Sequence, residues 1–342
     1  MSKWVFRLFL SAIGMVAIAV SVYAFNTHRE VADVTEDTYV SDVAEDIYIP
    51  HVAEVIYTPD VEEIADMPTE AEEVNNVEVD LLNQDPISIL LLGVDIDESA
   101  ATDQTEQGMP DSIIIITVNP ADETTKMVSI PRDTRTEIVG MYFDDKINHA
   151  YAFGGIEMMI NSVQNLLDIP VNYYVRIDMG GFQALVDVVG GVEVENDLDF
   201  AFDGTHFPLG TVQLDGADAL KFSRMRMEDP RGDFGRQQRQ RLIIGALINE
   251  LTSVTSITQF ANILDTLREH LETNITFDNA ATMLFGGYRE AFANIEQLQL
   301  LTGEGQIING IYYQVLSYEE ITNTRMIFRT HLGLAKVEEV LD

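Results

Sequence analysis

A chain of 342 residues with no cysteine can form neither a disulfide framework nor a thiolate metal centre. Its 57 acidic residues against 20 Lys and Arg give a formal net charge of −37, which lacks the basic footprint of a nucleic-acid partner and excludes that class. Hydrophobic residues make up 46% of the chain, enough to bury at least one large core.

The chain opens with MSKWVFR and then an apolar run, LFLSAIGMVAIAVSVYAF, of eighteen residues ending at Phe25. That is about the length that crosses ~30 Å of hydrocarbon. Lys3 and Arg7 precede the run and a strongly acidic segment follows it. The positive-inside rule therefore predicts a single-pass cell-membrane protein, with residues 1–25 as tail and anchor and all that follows outside the cell. A cleaved signal peptide is the alternative, because Val22-Tyr23-Ala24 has the form of a cleavage site. Residues 26–85 hold eighteen Asp and Glu against a single Arg29. Their mutual repulsion predicts an extended, mostly disordered extracellular stalk.

From Pro86 the composition turns globular, and one domain is expected over 86–335 with a short tail, 336–342. ISILLLGVD (87–95), SIIIITVNP (112–120) and KMVSIPRDT (126–134) read as strands, the first two with the continuous apolar runs of buried ones. IEMMINSVQNLLD (156–168) has helical spacing, VNYYVRID (171–178) is a strand, GFQALVDVVGG (181–191) a helix closed by glycines, and VEVEND (192–197) a strand. PLGTVQLDGADALKFSRMR (208–226) suggests a short hairpin and then a helix opening near Asp215. Another helix starts in FGRQQRQRLIIGALINEL (234–251), two more reach about residue 295, and the tail reads as two or three strands and a closing helix. Strands alternating with helices predict a layered α/β domain.

Against this acidic background, RMRMEDPRGDFGRQQRQR (224–241) gathers six of the fifteen arginines. Arg224 and Arg226 fall at the end of one helix. Arg236, Arg239 and Gln240 fall at i, i+3 and i+4 of the next, on one face and near an N-terminus that already favours an anion. Guanidinium forks suit phosphate oxygens. A structural ion network with Glu228, Asp229 and Asp233 is the competing reading. Arg132, at the end of a predicted strand, adds a cation where open α/β sheets bind ligands. Asp95 and Asp111, at two further strand ends, suit a hard divalent ion better than a role as simple charge partners.

In this order, ILLLGVD, PDSIIIITVNP, VSIPRDT, DKINHAYAFGG, VNYYVRIDMGGFQALVDVVGGV, LDGADALKFSRMR and DPRGDFGRQQRQ closely resemble the LytR-CpsA-Psr family. The resemblance covers residues 86–250 firmly and runs on more loosely to about 335. It implies an α/β fold with a central mixed β-sheet flanked by helices, behind one N-terminal transmembrane helix. It implies a phosphotransferase that moves a phosphoglycosyl polymer, such as teichoic acid or capsular polysaccharide, from a polyprenyl-pyrophosphate carrier to peptidoglycan, the lipid tail lying in an apolar tunnel. By match to the family's motifs, Asp95 and Asp111 are expected to associate with Mg²⁺, and Arg132, Arg224, Arg226, Arg236, Arg239 and Gln240 to surround the pyrophosphate. Asp95 or Asp133 is expected to accept the proton of the incoming hydroxyl. The helices around 155–168 and 181–189 are expected as tunnel walls.

The chain departs from the family pattern at two positions. Met109 stands where an arginine is common, in Gly108-Met109-Pro110-Asp111, and Asp97 stands where an arginine often follows the first aspartate. Two other functions therefore stay open: a non-catalytic protein that binds the carrier or wall polymer, and a metal-dependent pyrophosphatase in which water replaces the sugar hydroxyl. A transcriptional regulator fits poorly, since its DNA-binding surface would be acidic and outside the membrane.

Overall fold

The computed structural model describes residues 79–94, 108–299 and 301–334. The expected anchor, the stalk up to residue 78, Asp95, Asp97 and the C-terminal tail lie outside the described residues. Among those described, no helix is long and apolar enough to cross a membrane.

The described elements run β1 (Ile87–Val94), β2 (Pro110–Asn119), β3 (Thr124–Ser129), β4 (Arg135–Ile138), β5 (Phe143–Lys146), α1 (His149–Leu167), β6 (Tyr173–Asp178) and α2 (Met179–Val189). Then come β7 (Val192–Asn196), β8 (Phe200–Phe202), β9 (Thr205–Phe207), β10 (Gly210–Leu214), α3 (Gly216–Arg224), α4 (Asp233–Ser253) and α5 (Ile257–Leu267). The chain closes with β11 (Leu271–Thr273), α6 (Phe277–Phe285), α7 (Arg289–Ala293), β12 (Ile295–Leu298), β13 (Glu304–Ile308), β14 (Ile311–Val315) and α8 (Tyr318–His331).

A six-stranded sheet in the order β11-β6-β1-β2-β3-β12 organises them. It is mixed: β1 pairs parallel with β6 and antiparallel with β2, β3 pairs antiparallel with β2 and parallel with β12. Both faces are covered, which is why β1 and β2 read as unbroken apolar runs. Leu90, Leu92, Ile113 and Ile115 pack against α1 and α8 through Met159, Val163, Leu167 and Phe328. Their strand neighbours Ile87, Ile89, Ile114 and Ile116 point the other way, toward Tyr288, Phe292 and the Ile244 and Ile248 side of α4.

Several local expectations change. The helix expected from residue 156 begins at His149, with a break where Gly154 and Gly155 leave helical geometry, Gly155 at φ +63°. The hairpin expected within PLGTVQL does not close on itself: β10 pairs with β7, so that Val192, Val194, Val212 and Leu214 cover Phe222 and Ile243. The helix after it opens at Asp215, whose carboxylate accepts from the Asp218 backbone N–H at 2.9 Å.

Candidate active site

Val94, Asp178, Pro110 and Ser129 lie at the same end of the central sheet, because β1, β6 and β3 finish where β2 begins. Beneath this edge a cavity of about 380 Å³ opens between the sheet, α2, α3 and α4. One end is polar, lined by Asp111, Arg132, Arg224, Arg226, Arg236 and Gln240. The rest of the lining is mostly apolar, with Leu91, Val175, Ile177, Phe182, Leu185, Ile244, Leu247, Ile248, Leu251 and Leu271 alongside Ser112, Asp178 and Ser223.

Asp111 reaches this cavity through a bulge. Gly93 pairs with Ser112, but Val94 pairs with Pro110, leaving Asp111 as the extra residue of β2. By strict alternation it would face the layer of Ile113 and Ile115; the bulge turns it instead toward the cavity. There its carboxylate accepts from Arg132 Nη1, and its backbone carbonyl accepts from Arg236 Nη1 at 3.2 Å. Burial pulls the Arg132 guanidinium down, but Asp111 beside it more than compensates and its pKa is raised. Asp133 lies 3.8 Å from Arg132 Nε and is held by Lys146 Nζ at 2.7 Å, just outside the cavity lining.

The two competing readings of the arginine cluster both hold, for different members. Arg236 packs its guanidinium on Asp233 at 2.8 and 2.9 Å, and Arg226 approaches the same carboxylate at 3.9 Å. Both also face the cavity, as do Arg224 and Gln240. Burial pushes the Asp233 carboxyl up, yet Arg236, Gln237 and Arg226 outweigh it and hold it below the usual range.

Arg239 is a correction. Its side chain is 1% exposed and lies outside the cavity lining. Nε donates to the Phe222 carbonyl at 3.0 Å, Nη1 to Asp229, and Nη2 to the Met225 carbonyl. The rings of Phe200 and Phe222 cover it at 5.3 and 6.0 Å. Spacing of i+3 put it with Arg236, but at 100° per residue it sits far enough round α4 to face the β7–β10 layer. Asp229 also takes Arg231, at 2.9 Å. Burial raises its carboxyl, but the hydrogen bonds from Arg231 and Arg239 hold it at about 2.

The walls need a second correction. Phe182 and Leu185 of α2 line the cavity as expected, whereas the helix around 155–168 packs on the opposite face of the sheet. The wall missed from sequence is α4 itself. Arg236, Gln240, Ile244, Leu247, Ile248 and Leu251 follow helical periodicity, so one stripe carries polar contacts in its first turns and apolar ones afterwards. That periodicity was available in RQQRQRLIIGALINEL. Lys146, which orients Asp133, carried no local signal.

A hard cation takes oxygen donors, and the Asp111 carboxylate at the polar end is one. Asp95, the other expected donor, lies outside the described residues; Val94 before it pairs with Pro110 before Asp111. Among the described residues no group of three or more acidic or histidine side chains could hold a metal ion.

The LytR_cpsA_psr family model matches residues 56–329. A polyisoprenyl-teichoic acid–peptidoglycan teichoic acid transferase, TagU, of Halalkalibacterium halodurans is 47% identical over 267 residues, 78% of this chain and 86% of that one. A Bacillus anthracis protein of the same name is 36% identical over 340 residues, 98% of this chain and all of that one. The crystal structure of TagU from B. subtilis superposes with a TM-score of 0.59 at 39% identity, covering 74% of this chain and 100% of that one. TagT bound to LI-WTA superposes with a TM-score of 0.65 at 29% identity, covering 77% and 96%. The mixed sheet between helical layers, the seven ordered sequence blocks and these likenesses agree: the chain belongs to the LytR-CpsA-Psr family.

Proposed function

We propose that this protein is a membrane-anchored phosphotransferase that moves a phosphoglycosyl polymer, a teichoic acid or another wall polysaccharide, from a polyprenyl-pyrophosphate carrier to a peptidoglycan hydroxyl. The observation that carries the reading is one continuous cavity with arginines at its polar end and aliphatic walls beyond them. An isoprenoid chain bearing a pyrophosphate has the same two-part character. Relatives named as teichoic acid transferases supply the substrate class, and residues 8–25 supply the anchor that would keep the domain near its lipid-borne donor.

In this reading Arg132, Arg224, Arg226, Arg236 and Gln240 bind the pyrophosphate oxygens, and the apolar walls align the chain so that the phosphorus carrying the glycan faces the acceptor. The acceptor oxygen bonds to that phosphorus, the bond to the bridging oxygen breaks, and polyprenyl phosphate leaves. Catalysis is positioning and charge neutralisation, with the arginines already oriented by Asp111 and Asp233 before substrate arrives. Asp133, held by Lys146, or Asp95 takes the hydroxyl proton. Asp111, with Asp95, would hold Mg²⁺, which when bound adds neutralisation of the pyrophosphate charge.

The test is full-length protein in detergent with a synthetic polyprenyl-pyrophosphate-linked saccharide, peptidoglycan oligomers and Mg²⁺, following polyprenyl phosphate by mass spectrometry. Transfer is expected, with loss on adding EDTA and a loss of about a hundredfold or more in Arg132→Ala, the scale of removing one transition-state donor. A second reading, carrier binding without turnover, is favoured by the half-exposed Met109, an uncharged side chain where the family pattern leads one to expect an arginine. Tight carrier binding with no transfer to any acceptor would establish it instead. Release of sugar phosphate together with polyprenyl phosphate, with water as acceptor, would point to a pyrophosphatase.

A further inference from the structure

Three arginines of α4 are buried: Arg236, Arg239 and Arg241. The first two hold Asp233 and Asp229. Arg241, 5% exposed, forms no ion pair among the described residues. Its Nη1 donates to Ser129 Oγ at 2.8 Å, and its buried Nε has no hydrogen-bond partner. Desolvation pushes the guanidinium down to about 10, so it stays charged at neutral pH. A buried cation without a counter-charge is expensive to keep, and replacing such a group by an apolar one commonly stabilises a fold.

The position of this charge suggests what it is kept for. Ser129 ends β3 and is the cross-strand neighbour of Ile114, which lines the cavity. Three residues on, in the turn that follows β3, is Arg132. On α4 the residue before Arg241 is Gln240, which also lines the cavity. The guanidinium thus lies behind the cavity wall, between the strand and the helix that carry two head-group residues. Arg132 and Arg236, in the wall itself, are each already engaged by a carboxylate.

We infer that Arg241 is a positioning residue that acts through space: it does not touch the substrate, and its counter-charge is the anionic head group bound in the cavity. This rests on the reading that the cavity takes a polyprenyl pyrophosphate. Among the described residues the Arg241 guanidinium has no ion-pair partner, and binding the anion supplies the counter-charge. For a charge separation on the order of 10 Å and an effective dielectric near 20, one unit charge changes the affinity for an anion by about tenfold.

The test uses the full-length protein in detergent and two probes of equal tail, farnesyl pyrophosphate and farnesol, with Arg241→Met and Arg241→Lys. Expected are a tenfold or so weaker binding of farnesyl pyrophosphate to Arg241→Met, near-parent binding to Arg241→Lys, and unchanged farnesol binding in both. Without ligand, Arg241→Met is expected to melt at or above the parent. Equal affinity of parent and Arg241→Met for farnesyl pyrophosphate would overturn the inference. So would a Met variant that melts well below the parent and loses both probes together, because that is the signature of packing alone. A parent with no preference for farnesyl pyrophosphate over farnesol would instead overturn the head-group reading, and this inference with it.

Discussion

Arg239→Met keeps much of the side chain's reach and removes five N–H donors from a place that water does not enter. Three acceptors lose a partner: the Phe222 and Met225 carbonyls and the Asp229 carboxylate, whose side chain is fully buried. Breaking one partner of a buried pair costs about 3–5 kcal/mol. Arg231 stays on Asp229, so the lower half of that range is expected. For a folded unit of this size the corresponding drop in melting temperature is roughly 10 °C. Thermal melts of parent and variant measure it, and farnesyl pyrophosphate affinity below the transition should stay within about threefold of the parent. A variant that melts with the parent but fails to bind the anion would refute the reasoning and return Arg239 to the set of arginines that face the substrate.

Ile248→Asp places a carboxylate on the apolar wall. It should weaken a long-chain polyprenyl phosphate at least tenfold while leaving inorganic pyrophosphate near the parent value by calorimetry; equal losses would deny the division of the cavity. Gly235→Ala puts a methyl group 1.8 Å from Asp229 Oδ2, so it should destabilise the fold by about 3 kcal/mol in urea denaturation. His331 is buried and bonded through its two ring nitrogens to Thr117 Oγ1 and Thr124 Oγ1. Desolvation, then Lys126, lowers its pKa to about 4. The unfolded chain therefore binds the extra proton first, so its share of stability is whole above pH 6.5 and falls away toward pH 4. The loss is about 2 kcal/mol between pH 7 and pH 5, and a His331→Gln variant should show a correspondingly shallower acid slope.

The sheet was legible because β1 and β2 are buried on both faces, and an unbroken run such as ILLL or IIII has few other uses. Arg132, Arg236 and Gln240 were legible because strand ends and helix first turns gather at one side of an α/β sheet. Arg239 was not, since i+3 spacing marks a shared side of a helix without saying where that side ends. The pairing of β7 with β10 was also hidden. Both strands alternate cleanly, but an alternating strand announces only that it has a buried side, not which neighbour supplies the hydrogen bonds. The walls divided the same way. IEMMINSVQNLLD and GFQALVDVVGG are about equally apolar, and neither run carries a signal for which face of the sheet it will cover.

The bulge at Asp111 makes direction, and not only identity, a heritable property of this position. In a regular strand a mutation changes which chemical group is shown to a given side, and parity decides the side. Here the side depends on one inserted residue. Deleting Pro110, a loss of one codon, would set Asp111 opposite Val94 and turn it from the cavity. The sheet from Ser112 onward and the apolar walls would keep their places. A protein so altered would retain a lipid-sized cavity without the carboxylate that aligns Arg132, which gives a short evolutionary path between a transferase and a silent relative that only holds the carrier.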